Sequence, residues 1–302
     1  MGQNGTVSIR IMILCPRTKR DGGLLLFLSF RKAGVGAVQD LGMSSLKTNA
    51  GGNIEAIPPY TFKGKTWPAG RLIVGKYGNE SHDILSYLEA QESQKPLRLD
   101  TSWLAVGHVD EFVQFIPANN TRSRVVVISD PSLAIRVLEE KEKDGHGSIP
   151  AISRKNDTQW SQHCKMPECA QPVNSITVSK LLSNKRLRSL NDVCARKING
   201  TIKILKKEVG LTDEVIICIP FLFIEIGSKK FEGPGSEFKV GAFFPPVINN
   251  LLLTGYNTCL APNPWCLVVE GKDIFVEEIN NTYAKVGMKV KFIDDWNSII
   301  YI

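Results

Sequence analysis

The 302-residue chain is 43% hydrophobic, 22% charged and 8% aromatic, and its 37 Lys and Arg against 30 Asp and Glu give a net charge of +7. That balance belongs to a globular protein of one large or two medium domains and excludes a disordered chain, a collagen-like repeat and a heptad rod. No apolar run approaches the ~20 residues of a membrane helix; the longest, Leu24 to Phe30 and Val215 to Ile226, are short and lie beside charge. A soluble protein without a membrane partner is expected.

In chain order, Ser8 to Leu14 and Leu25 to Phe30 read as strands, with a turn over Ala33 to Gly36. Arg71 to Val74 is a further strand. Ser81 then caps a helix whose buried stripe is Ile84, Leu85 and Leu88 and which stops before Pro96. Leu97 to Leu99 and Val113 to Ile116 are strand-like, and the β-branched run Val125 to Ile128 suits a central strand. Asp130-Pro131 reads as N-cap and first-turn proline of a second helix, with Ala134, Ile135 and Leu138 inward and an end near Gly145. Residues 148–174 are polar and proline-broken, which predicts a long loop insertion.

Between Lys180 and Val209 there are nine basic and two acidic residues. No aromatic side chain interleaves them, and Leu187, Leu190, Cys194, Ile198, Ile202, Leu205 and Val209 recur at three and four. The stretch therefore reads as the solvated side of an amphipathic helix, with no nucleic-acid partner. A strand follows at Val215 to Ile219, then a Gly/Lys-rich loop over Gly227 to Val240. The chain continues through a segment at Phe243 to Thr254 and a strand at Cys266 to Val269. A helix from Ile274 to Val286, closed by Gly287, and a strand at Lys289 to Ile293 complete it. Strands alternating with helices make an α/β protein built of modules.

Seven scattered cysteines are an odd number and form no disulfide framework, which suits a reducing compartment and a cytoplasmic location. His163, Cys164 and Cys169 lack the fourth ligand of a structural zinc site. The first six residues fit the short myristoylation pattern, but so brief a match carries little information. No signal or transit peptide is legible.

One stretch stands apart, Leu99 to Phe112, which reads LDTSWLAVGHVDEF. His108 and Asp110 are two residues apart, so on extended backbone both leave on one face, and Gly107 before them allows an unusual dihedral. An imidazole beside a carboxylate can give a proton near neutral pH while the carboxylate holds a cation. On that chemistry alone a structural hydrogen-bonded pair is the commoner case.

The wording of this stretch resembles the signature of the protein-arginine deiminases. The resemblance extends to Gly51-Gly52-Asn53-Ile54-Glu55-Ala56-Ile57-Pro58-Pro59 and Gly64-Lys65-Thr66-Trp67-Pro68-Ala69-Gly70-Arg71. It continues, in family order, through Gly145-His146-Gly147, Leu182-Ser183-Asn184-Lys185 with Asn191, Gly210-Leu211, Ile219-Pro220 with Leu222-Phe223, and Ala242-Phe243-Phe244-Pro245. It covers nearly the whole chain and implies one catalytic domain over residues 1–302.

The resemblance implies a pseudosymmetric α/β propeller of the pentein kind, built of ββαβ modules and here incomplete. It implies calcium-dependent hydrolysis of protein arginine to citrulline, with arginine-containing proteins or peptides as partners. In that chemistry two aspartates hold the guanidinium, a thiolate attacks its carbon, and a histidine protonates departing ammonia. By position His108 is the general acid/base and Asp110 one guanidinium clamp, with Trp103 as packing. Glu55, with the backbone around Gly51 and Ile54, matches a calcium site. Leu14 replaces an acid of a second calcium site. The arginine that grips the substrate backbone falls at Arg17, Lys19 or Arg20.

Two family motifs are not found in the 302 residues. Neither Trp-x-Gln-Asp, which carries the other aspartate, nor Cys-Gly-Thr-Asn, which carries the nucleophile, occurs. The expectation is a deiminase domain truncated at both ends and without turnover, with Cys259 and Cys266 no replacement for the nucleophile. The alternatives are a non-catalytic calcium- or arginyl-peptide-binding remnant and, less compatible with the motif wording, a free-arginine or agmatine deiminase.

Overall fold

The computed structural model describes residues 9–15, 22–39, 49–77, 83–91, 94–118, 120, 124–154, 176–226 and 237–294. The predicted α/β class holds. Three three-stranded sheets share one plan, in which an antiparallel strand pair is followed by a helix and a third strand parallel to the second. The first holds Ile54–Ile57 against Arg71–Lys76, then the helix Asp83–Ala90 and the strand Leu97–Asp100. The second pairs Val113–Pro117 with Arg124–Asp130 and ends in Ile216–Pro220. The third pairs Leu251–Leu253 with Thr258–Pro262 and, after the helix Ile274–Ala284, adds Lys289–Ile293. A parallel return needs a crossover, which the helices provide. Among the described residues the sheets remain separate and form no closed sheet.

The sequence dictates where these helices begin. Asp130 Oδ1 accepts the N–H groups of Ser132 and Leu133 at 2.8 and 3.1 Å, with Pro131 in the first turn. Asp273 does the same for Phe275 and Val276 at 2.9 and 3.1 Å. The basic stretch is two helices, Val178–Ser183 and Lys185–Val209, because Asn184 is extended and its side chain caps Leu187 N–H at 3.0 Å. Its apolar stripe is buried as the spacing predicts, except for Ile202, which is half-buried. Several of its outer charges are tied to neighbours, Arg186 to Glu225 and Arg188 to Glu139 among them.

One main core holds all three sheets together, from Ile57 through Phe112, Ile128 and Leu205 to Tyr283. A satellite of Val74, Ile84, Leu85 and Leu88 lies under the helix Asp83–Ala90. Among the described residues no helix is long and apolar enough to cross a membrane.

The segment Leu25 to Phe30 departs from its expected strand. Gly22–Leu25 is α-helical and Leu26–Phe30 continues as a π-helical turn. An apolar run of this length has no period that separates strand from helix. The deciding constraint is topological: Arg10–Leu14 and Val35–Gln39 are parallel partners, so the chain between them must cross over. The expected turn at 33–36 is correspondingly shorter, with the second strand starting at Val35. Ser81, residues 155–174 of the expected insertion, and the candidate zinc ligands His163, Cys164 and Cys169 lie outside the described residues.

Candidate functional site

The candidate site is built on the loop that leaves the strand Leu97–Asp100. Asp100 caps the departing turn, accepting Ser102 N–H at 3.0 Å, and Trp103 Nε1 donates to Asp100 O at 3.1 Å. Trp103 is packing, as expected: it is buried against Phe112 and Phe223 at ring distances of 5.5 and 5.2 Å. Ala105 N–H donates to Val240 O at 2.8 Å, and Val240 N–H to Trp103 O at 3.1 Å. Lys239 donates to Ser102 O and lies 4.2 Å from the centre of the Tyr77 ring.

That ring explains Gly107. The glycine has φ +86°, which side chains rarely adopt, and a Cβ there would lie 2.6 Å from Tyr77 Cδ2. The chain then delivers His108, extended at φ −100° and ψ 150°, as N-cap of a short 3-10 turn, Val109–Glu111. Val109 and Phe112 are fully buried and anchor the turn in the core. Glu111 Oε1 accepts His108 N–H at 2.8 Å.

The turn brings His108 and Asp110 together, with Nδ1 and Oδ1 at 3.9 Å. The expected cause of this convergence, an extended strand, is corrected: an N-cap followed by a helical turn carries both side chains to one side. His108 is 6% exposed. The Asp110 side chain is 25% exposed, yet its Oδ1 is buried without a hydrogen-bond partner among the described residues. At 3.9 Å the imidazole contact is electrostatic and too long for a hydrogen bond.

The floor of the site is a second turn, Gly51–Asn53. A Cβ at Gly52 would overlap Asp110 Oδ2 and come 3.0 Å from His108 Nδ1. The turn is held by Asn53, fully buried, whose Oδ1 accepts Gly75 N–H at 3.1 Å and whose Nδ2 donates to Gly75 O at 3.2 Å. Neither residue had a role assigned from sequence; the only signal was their place in the Gly-Gly-Asn-Ile-Glu motif. Glu55 follows, and its Oε1 accepts Phe115 N–H at 3.0 Å.

Both carboxylates are poised near neutrality. Burial pushes Glu55 up to about 7, the negative charge of Asp110 adding to it, while the N–H groups of Phe115 and Ala56 oppose the shift. Burial likewise pushes Asp110 up to about 7. Two such carboxylates can ionise together more easily when a cation neutralises them.

Glu55 and the carbonyls around it are hard oxygen donors and fit calcium in kind. In number they fall short, since calcium takes six to eight oxygens and one Glu55 oxygen is already engaged. Among the described residues no group of three or more His, Cys, Asp or Glu side chains could hold a metal ion. Arg17, Lys19 and Arg20, the candidates for gripping substrate backbone, lie outside the described residues.

The described cysteines are poor nucleophiles. Burial pushes the thiols of Cys194 and Cys259 up to about 12 and Cys218 to about 11. Cys266, fully buried, is raised well above the ordinary thiol range by burial, with Asp273 adding to it. A thiol held neutral does not attack.

The family model of protein-arginine deiminase matches residues 2–301. The chain is 32% identical over 291 residues to protein-arginine deiminase type-4 of Mus musculus, covering 92% of this chain and 40% of that protein. It is 31% identical over 255 residues to the type-4 enzyme of Homo sapiens, and 32% over 253 residues to the human type-3 enzyme. Each of those human matches covers 81% of this chain and 34% of the relative. The chain thus spans two fifths or less of the length of these relatives, and the stretch from Gly51 to Phe112 that builds the site lies within the matched family region. The chain belongs to the protein-arginine deiminase family.

Proposed function

We propose that the chain is a substrate-holding part of an arginine deiminase, in which Asp110 clamps the guanidinium of a peptidyl arginine and His108 manages protons at the departing nitrogen. The observation that carries this reading is the convergence over Gly52 of an imidazole and a buried carboxylate oxygen that has no hydrogen-bond partner among the described residues. A guanidinium supplies donors in a planar fork and a permanent positive charge, which complement an ionised Asp110. Overall, peptidyl arginine and water give peptidyl citrulline and ammonia. His108 in its protonated form can donate to the leaving nitrogen, then as a base take a proton from the attacking water.

The covalent step needs a thiolate, and among the described residues the thiols of Cys15, Cys194, Cys218, Cys259 and Cys266, all raised by burial, do not offer one. The 302 residues alone are therefore proposed to bind arginyl peptide without turnover, which is also the behaviour of a non-catalytic binding remnant. Calcium is proposed at Glu55 with the backbone of Gly51 and Ile54, supported by the hard donors and by the charge that two buried carboxylates accumulate. When bound, calcium supplies positive charge that favours ionised Glu55. The three repeats of strand pair, helix and parallel strand support a propeller of ββαβ modules. The scattered free cysteines support a cytoplasmic setting.

Thermal unfolding tests these assignments together. An acylarginine amide and calcium are each expected to raise the melting temperature of the chain. Glu55→Gln should remove the calcium effect, and citrulline formation should not exceed that of His108→Ala. A chain stabilised by neither ligand, or one that turns over above that control, contradicts the reading.

A further inference from the structure

The helix Lys185–Val209 turns one side to the core, and its solvent side is only partly neutralised. Arg186 pairs with Glu225, Arg188 with Glu139, Lys197 with Asp100 and Lys206 with Asp213. The side chains of Arg196, Lys203 and Lys207 are exposed and have no hydrogen-bond or ion-pair partner among the described residues. They are seven and four residues apart. At ~100° of rotation and ~1.5 Å of rise per residue they fall within about 40° of one another and span about 16 Å of the axis.

Gly200 lies in the middle of this line. The fold makes no use of the missing side chain, since a Cβ there meets nothing within 4 Å. Glycine also weakens a helix interior relative to alanine. One turn on, Ile204 remains 39% exposed. The face is thus a row of cations with bare backbone and one apolar side chain at its centre. What gains from a missing side chain is a second backbone that comes close, because the distance between packed helices is set by the side chains at their contact.

The chemistry of the face separates the polyanions that would answer its charge. No aromatic side chain lies in the row to stack a base, and the exposed Asp192 stands one turn before Arg196, so a nucleic acid is disfavoured. The helix spends its apolar side on the core, which leaves Ile204 alone to enter a bilayer, whereas an interfacial helix needs a broad apolar face. A protein helix fits on both counts. Its carboxylates at three- and four-residue spacings share one side and match the pitch of the row, and an apolar residue between them meets Ile204.

We propose that this face docks an acidic amphipathic helix of a partner protein. The partner helix lies along Lys185–Val209 with its closest approach at Gly200, sets carboxylates against Arg196, Lys203 and Lys207, and packs an apolar side chain on Ile204. The docking face does not depend on the roles given to His108 and Asp110.

Fluorescence anisotropy of a labelled helical peptide added to the full chain tests this. The probe is built of Glu, Ala and Leu, with glutamates at positions i, i+4, i+7 and i+11 and a leucine between them. Saturable binding is expected, weakening as salt cuts the Debye length from about 10 Å at 0.1 M to about 3 Å at 1 M. A probe with glutamine in place of glutamate should not bind, nor should the variant carrying both Lys203→Glu and Lys207→Glu. Gly200→Ala should raise the melting temperature yet weaken binding roughly tenfold, the scale of overpacking in a close contact.

Absence of saturable binding overturns the proposal. So does binding that survives the double charge reversal, or that is unchanged in Gly200→Ala. Tighter binding of oligothymidylate, or of vesicles of phosphatidylcholine with phosphatidylserine, would also overturn it, by making the face a nucleic-acid or membrane surface.

Discussion

The backbone of Gly52 stands directly against the carboxylate of Asp110, with no space between them for a side chain. A Cβ at Gly52 overlaps Asp110 Oδ2, whereas a Cβ at the neighbouring Gly51 meets nothing within 4 Å. Gly52→Ala should therefore displace Asp110 and weaken arginyl-peptide binding roughly tenfold or more, at an overpacking cost of about 1–3 kcal/mol. Gly51→Ala should bind as the wild type. Peptide titration and denaturant unfolding of the two variants side by side check the contrast.

The two raised carboxylates make stability depend on pH in a defined direction. Glu55 and Asp110 titrate at about 7 in the folded chain, above their ordinary values of 4.5 and 3.8. The folded state thus binds protons more tightly than the unfolded state between those limits, so stability falls as pH rises from about 4 to about 7 and levels off above. Asp110→Asn and Glu55→Gln should each flatten that fall, and a bound cation should offset it. Urea midpoints across this range provide the measurement.

Asn53 is a second point of sensitivity. Its side chain satisfies both the N–H and the C=O of Gly75 in the interior. Asn53→Ala leaves two buried backbone groups without partners, at about 1–3 kcal/mol each. Asn191 pairs in the same way with Phe223, through its Oδ1 at 2.9 Å and its Nδ2 at 3.0 Å, but away from the site. Asn191→Ala should cost comparable stability in urea unfolding with peptide affinity retained at temperatures where both variants are folded, while Asn53→Ala should lose both.

The unit formed by Arg10–Leu14, residues 22–30 and Val35–Gln39 contributes nothing to the main core among the described residues. It exposes Ile9, Ile11, Leu24, Leu28 and Phe30, with Leu28 at 78%. An apolar face of this kind favours association. Sedimentation should show concentration-dependent self-association that Leu28→Lys reduces without moving the urea midpoint. A chain monomeric at every concentration would contradict this.

Capped helices and short β-branched strands were legible in the residues. Asp130-Pro131 announces its helix, and Lys289–Ile293 lies where its alternation places it. Leu25 to Phe30 was not legible, because a run that is apolar except for Ser29 shows no clear period and its state is set by a distant parallel pairing. The hairpin from Tyr60 to Trp67 was also missed: two strands of three residues each are too short to show a pattern. At the site, the pairing of His108 with Asp110 was foreseen although its cause, an N-cap turn and not a strand, was not. Gly52 could not be read from spacing at all, since its importance lies in what stands above it 56 to 58 positions later in the chain.

Asp110 is proposed to recognise a positively charged arginine side chain beside His108. Isothermal titration of paired peptides, one with arginine and one with the neutral citrulline at the same position, measures that recognition directly. The wild type should prefer the arginyl peptide by roughly tenfold or more, about 1.4 kcal/mol, and Asp110→Asn should abolish the preference. Equal affinity of the wild type for both peptides, or a preference untouched in Asp110→Asn, would contradict the account.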